Sequence, residues 1–107
     1  MEAPRESIYR VIQDEVTRAG CRLVRVLLFG SRARGDAHPD SDWDLYVVID
    51  RDPGFHQRNA IASKICWRLA QEGIVADVFV QAEQTVRERA EDPGYLTYYV
   101  LKEGVAL

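Results

Sequence analysis

Leu27-Leu28-Phe29-Gly30-Ser31-Arg32-Ala33-Arg34-Gly35-Asp36-Ala37-His38-Pro39-Asp40-Ser41-Asp42-Trp43-Asp44-Leu45-Tyr46-Val47-Val48 is an apolar run, a small polar loop and a second apolar run. The first run ends on Gly-Ser and the second opens on Asp-Trp-Asp. The stretch therefore reads as a strand, a tight turn sized for a phosphate group, and a strand that begins with two carboxylates. Successive side chains of a strand point to opposite faces, so Asp42 and Asp44 share one face and Trp43 takes the other. Two carboxylates held that close repel unless a proton or a cation intervenes. A hard divalent ion, Mg²⁺ first, suits oxygen ligands and leaves room for water and phosphate. Taken alone, the pair reads equally well as solvated aspartates at a strand entrance.

Gly30 ends the first strand and lets backbone approach a ligand closely. Ser31 offers a hydroxyl, and its N–H opens a helical turn that can face an anion. Arg32 and Arg34 can add charge-assisted contacts to phosphate oxygens, or simply be solvated on a plain turn. Gly30 and Gly35 have the glycine spacing of a P-loop, but Asp36-Ala37 follows where that motif requires Lys and then Ser or Thr. The stretch is not a Walker A site.

Working outward, Ile8, Val11, Ile12, Val16 and Ala19 recur at helical spacing and predict a helix over Glu6–Ala19, with Gly20 as its stop. Leu23–Phe29 is β-rich and nearly all apolar, a largely buried strand, and Trp43–Ile49 is a second. Asp52-Pro53 predicts an N-cap and a first-turn proline for a helix over Phe55–Glu72, whose core face is Ile61, Ile65 and Leu69. Ile74–Val80 predicts a third strand, and Glu83–Ala90 a short charged exposed helix. Asp92-Pro93 repeats the cap-plus-proline signal for a helix through Lys102, and Val105–Leu107 predicts a short edge strand. Tyr95, Tyr98, Tyr99 and Leu101 on that last helix read as core before surface. The expected class is α/β (α+β): one domain over residues 1–107 with helices packed on a small sheet of three or four strands.

Asp77 interrupts a run that is otherwise Ile, Val, Ala, Val, Phe and Val. A carboxylate buried there would need a cation or a metal as partner. A third carboxylate on a neighbouring strand would complete a site for two ions flanking a transferring phosphorus. An ion pair with Arg22 or Arg25 is the plainer alternative.

Composition narrows the field. An apolar fraction of 47% and a charged fraction of 29% are those of an ordinary globular chain. A net charge of −3, with no basic block, argues against a protein that grips nucleic acid by its backbone. The polar start carries no secretory h-region, and no run approaches the ~18 apolar residues of a membrane span, so a cytoplasmic location is expected. Cys21 and Cys66 read as small buried hydrophobes, and His38 and His56 have no zinc spacing. A DxD glycosyltransferase fails on length and on the Gly-Ser turn.

Gly30-Ser31, ten residues, Asp42-x-Asp44 and then Asp77 in a later strand resemble the nucleotidyltransferase superfamily of the DNA polymerase β type. The short length and the Arg-Ala-Arg-Gly loop resemble its minimal nucleotidyltransferase (MNT) family most. The resemblance implies a polymerase β-like fold with a small mixed sheet. It also implies Asp42, Asp44 and Asp77 as catalytic and metal-holding residues, and Gly30, Ser31 and Arg32 on the nucleotide. Two Mg²⁺ ions would serve as cofactors and ATP as the substrate. It further implies transfer of AMP to a partner protein, a HEPN-domain toxin for which this chain is the antitoxin, and is compatible with a homo-oligomer. A binding module that neutralises its partner by occupying it, or a transferase acting on a small molecule, are the competing expectations.

Overall fold

The computed structural model describes residues 3–107, so Met1 and Glu2 of the polar start lie outside it. Its elements run α1 (Ala3–Arg18), β1 (Leu23–Phe29), α2 (Ser31–Arg34), β2 (Trp43–Ile49), α3 (Phe55–Gln71), β3 (Ala76–Ala82), α4 (Glu83–Arg89), α5 (Leu96–Glu103) and β4 (Val105–Ala106). The strands form one mixed sheet in the order β3-β2-β1-β4. β1 is antiparallel to β2 and to β4, whereas β2 and β3 are parallel. Two parallel neighbours need a long crossover, and α3 supplies it.

Alternation along β2 divides the core. Leu45, Val47 and Ile49 point to one face and meet Ile8, Ile12 and Val16 of α1 and Ile61, Ile65 and Leu69 of α3. Tyr46 and Val48 point to the other, where Leu27, Val86 of α4 and Val100 of α5 cover them. The second layer is small and leaves the Asp44 end of its face uncovered by helix. α1 and α3 are also joined by charge. Glu15 is buried and accepts from Arg18 at 3.2 Å and from Arg68 at 2.9 Å, while Arg68 also reaches Asp14 at 3.3 Å. A buried carboxylate with two guanidinium partners avoids the cost of an unpaired charge.

Five expectations need correction. Neither Asp-Pro pair caps a helix directly. Asp52 accepts from the Gly54 N–H at 2.8 Å, Asp92 accepts from the Gly94 N–H at 2.9 Å, and the helices start later, at Phe55 and Leu96. Each Asp-Pro-Gly is thus an aspartate-closed corner before a helix. β3 begins at Ala76 rather than Ile74, because the Ile74 N–H is taken by the Leu69 carbonyl at the end of α3. β3 is also an edge strand, so its apolar run is not a buried one: Val75, Asp77 and Phe79 are exposed. The tyrosine stripe of α5 does not fill the core either. Tyr95 and Tyr99 are exposed, and the helix buries Thr97 and Val100 instead. α4, expected to be wholly exposed, buries Val86. Cys21 is buried, half-buried Cys66 donates its thiol to the Ala76 carbonyl, and both are free.

Candidate active site

The site lies where β1, β2 and β3 bring their ends together. In the sheet register Phe29 of β1 faces Asp44 of β2, and Asp44 faces Asp77 of β3. Paired positions of adjacent strands share a face, so the two carboxylates stand side by side on the face that carries Tyr46. Asp42 sits one residue before β2, exposed, and its charge also acts on Asp44. Burial raises the Asp44 carboxyl above the ordinary aspartate value, and the charges of Asp77 and Asp42 and a hydrogen bond with Asp77 push the same way. The nearby Arg34 opposes them.

Asp77 thus joins Asp44, but by register and not by burial. It is exposed and forms no ion pair with Arg22 or Arg25 among the described residues.

Gly30 is the backbone wall of the site. At φ 75°, ψ −156° it occupies a region open essentially to glycine alone. A Cβ placed there would overlap an Asp44 carboxylate oxygen and lie 3.0 Å from its Cγ. The Gly-Ser turn therefore brings main chain directly against the carboxylate. Ser31 opens α2, and the first amides of a helix have no intrahelical partner. Gly35 ends the turn in the left-handed region, its N–H bonded to the Ser31 carbonyl at 3.0 Å.

The two arginines of the loop separate in role. Arg32 donates to the Ser41 carbonyl at 2.7 and 3.1 Å and to the Pro39 carbonyl at 3.2 Å. Its guanidinium lies 4.4 Å over the Trp43 ring, which alternates with Asp44 and so belongs to the opposite face. Arg32 ties down the loop that leads into β2 and is not gathered with the carboxylates. Arg34 is the cation on their side. It is exposed and bridged to Glu103 at 3.3 Å and Asp36 at 3.5 Å. The signal that separates the two is the Arg-Ala-Arg spacing, since positions two apart on a helical turn point different ways.

Among the described residues, no three His, Cys, Asp or Glu side chains form a ready-made metal cage. The available donors are the Asp44–Asp77 pair with Asp42 beside it. These are hard oxygens at a point of mutual repulsion, which is the donor chemistry Mg²⁺ uses when water and phosphate complete its shell. The residues present fit such an ion.

A family model described as "Polymerase beta, Nucleotidyltransferase" matches residues 12–107. The chain belongs to the polymerase beta nucleotidyltransferase family. It resembles the solved structure of a proposed minimal nucleotidyltransferase at 29% identity and a TM-score of 0.60, covering 99% of this chain and 94% of that one. A toxin–antitoxin structure with AMP-PNP aligns at 21% identity and TM-score 0.59, over 91% of this chain and 69% of that one. A nucleotidyltransferase assigned in Sulfolobus solfataricus aligns at 22% and 0.52, over 99% and 86%. The last two likenesses show the fold alone. Comparison with curated proteins finds no match. The polymerase β-like fold and mixed sheet expected from the Gly-Ser/Asp-x-Asp/Asp pattern are thus what the chain has.

Proposed function

We propose that this family member transfers AMP from ATP to a hydroxyl of a partner protein, as the antitoxin paired with a HEPN-domain toxin. The observation that carries the reading is Asp44 in register with Asp77, with the Gly30 backbone pressed against Asp44 and the charge of Arg34 acting on it. The AMP-PNP in the toxin–antitoxin neighbour supports ATP as the nucleotide and a protein as the partner.

Gly30, the Ser31 amide and hydroxyl, and Arg34 would seat the triphosphate on the β1 side. The acceptor then approaches from the β3 side. Its hydroxyl oxygen bonds to the α-phosphorus as the bond from that phosphorus to the β-bridging oxygen breaks. Pyrophosphate leaves with the electron pair, and Asp77 accepts the hydroxyl proton. Asp42, Asp44 and Asp77 would hold two Mg²⁺ ions, which supply charge neutralisation on the phosphates and on the attacking and leaving oxygens. The protein forms no covalent bond, so its contribution is positioning and electrostatics. Both cysteines are free, which suits a reducing cytoplasm.

With α-labelled ATP, Mg²⁺ and the product of the neighbouring gene, the native chain labels its partner and Asp44→Asn does not, with far-UV circular dichroism unchanged. Undiminished labelling by Asp44→Asn refutes the assignment. The exposed Tyr95, just before α5, and Leu96 and Tyr99 on it favour one second reading, neutralisation by binding alone. Stable complex formation with no AMP-sized mass gain on the partner would identify it.

A further inference from the structure

Among the described residues β3 is unpaired on its outer side, and Ala76–Ala82 has no proline, no lysine and no bulge, Asp77 being its one charged residue. Along this edge runs a groove of about 280 Å³. Phe79 and Gln81 of β3 form its floor, Phe55 and Arg58 of α3 one wall, and Arg89 and Leu96 the other. Phe55, Phe79 and Leu96 are exposed at 64%, 43% and 42%, an apolar lining left open to solvent.

The charge of the groove is selective. On a chain of net charge −3, this groove is lined by two arginines and no carboxylate. Arg58 is already bridged to Asp52, which lies outside the lining. Arg89 makes no salt bridge among the described residues and stacks 4.2 Å over Tyr95. A second copy of the chain paired β3 to β3 about a two-fold axis would set like arginines against each other. An acidic segment would meet them favourably.

We propose that an extended acidic segment of the acceptor protein adds to the free edge of β3 as a fifth strand, with its hydroxyl-bearing residue beside Asp77. Strand addition draws its affinity from main-chain hydrogen bonds and its selectivity from alternate side chains. The added strand lies about 4.8 Å from β3. Asp77 is the second residue of β3, so the same edge that binds the segment carries the carboxylate proposed to take its proton. Phe79 follows on the same face two residues later and meets Phe29 of β1 at 6.0 Å between ring centres. The two rings meet across β2 and border the carboxylates, giving the segment's neighbouring side chain an apolar seat. This placement rests on the transferase reading above.

Panning a library of random short peptides against the native chain tests it, with hydrogen exchange on the chosen peptides as the second measurement. Expected are peptides rich in Asp and Glu that slow exchange along Ala76–Ala82. Arg89→Glu, checked for folding by circular dichroism, weakens them about tenfold, a loss of ~1.4 kcal/mol. Arg89→Gln weakens them less, and Asp44→Asn leaves protection of β3 intact. That last arm separates the two ideas, because loss of transfer in Asp44→Asn bears on the chemistry and protection of β3 bears on docking. No enrichment, enrichment of neutral or basic peptides, or protection outside β3 overturns the proposal. So does β3 protection that grows with protein concentration in the absence of peptide, which would identify a second copy as the occupant.

Discussion

Replacing Gly30 by alanine tests the placement of Asp44 more sharply than removing the carboxylate does. Two costs combine. The backbone at φ 75°, ψ −156° is closed to a residue with a Cβ, a strain of about 1–3 kcal/mol. The new methyl group also falls on the Asp44 carboxylate, and crowding of that kind adds about 1–3 kcal/mol. At about 4–8 °C per kcal/mol for a chain of this size, the melting temperature falls by roughly 8 °C or more. If the carboxylate swings ~1 Å aside instead, nucleotidyl transfer falls about 10²-fold. A double-mutant cycle with Asp44→Ala separates the terms. In that background the overlap with the carboxylate disappears and only the Asp44 Cβ remains, 3.3 Å from the added methyl. Gly30→Ala should then cost at least ~1 kcal/mol less by urea denaturation, roughly the minimum crowding contribution. Equal costs in the two backgrounds, or a Gly30→Ala change within ~0.5 kcal/mol of zero, would refute the reasoning.

Asp44 itself stands against folding at neutral pH, since burial and the Asp77 and Asp42 charges raise its pKa above the unfolded value. Its ionised form costs stability above that raised pKa, and the cost is relieved as pH falls through it. Asp44→Asn should therefore stabilise the chain by up to ~1 kcal/mol at pH 7, read by urea denaturation, a gain kept small by solvent screening. Metal binding should run the other way with pH. Mg²⁺ affinity, measured by titration calorimetry, should fall as acidity protonates Asp44, because proton and ion compete for the same carboxylate. Behind the site, buried Tyr46 and Thr97 share a hydrogen bond of 2.5 Å. Tyr46→Phe leaves the threonine hydroxyl unpaired and should cost about 1–3 kcal/mol, most of it recovered by adding Thr97→Val. Leu69→Ala, at a fully buried position of α3, should cost about 2–5 kcal/mol by the same measurement.

The fold was largely legible because periodicity reports burial on a helix faithfully. Ile8, Val11, Ile12 and Val16 of α1, and Ile61, Ile65 and Leu69 of α3, are the core they were expected to be. Edge position is another matter. The run Val75 to Val80 looks the same in sequence whether a strand is central or peripheral, and only the pairing order tells that β3 has one free side. Asp77 was singled out for burial that it lacks, and what places it beside Asp44 is register, a long-range property. The tyrosines of α5 misled for a related reason. An eight-residue helix with one buried stripe needs few core residues, and Thr97 and Val100 already supply it. The different placements of Arg32 and Arg34 depend on Trp43, the ring that captures one guanidinium and leaves the other on the carboxylate side.

The bridge from Arg34 to Glu103 has a consequence of its own. It spans from the turn after β1 to the last residue of α5, and both partners remain partly exposed. A triphosphate seated on the Gly-Ser turn would compete with Glu103 for the same guanidinium. The competition is easily won, because an exposed ion pair is a weak tether. Linkage is reciprocal: whatever displaced α5 would free Arg34 for nucleotide, and nucleotide bound there would remove one tether of α5. Since α5 presents Leu96 and Tyr99 to solvent on its way to β4, contact by another protein on that helix would register at the nucleotide without touching it.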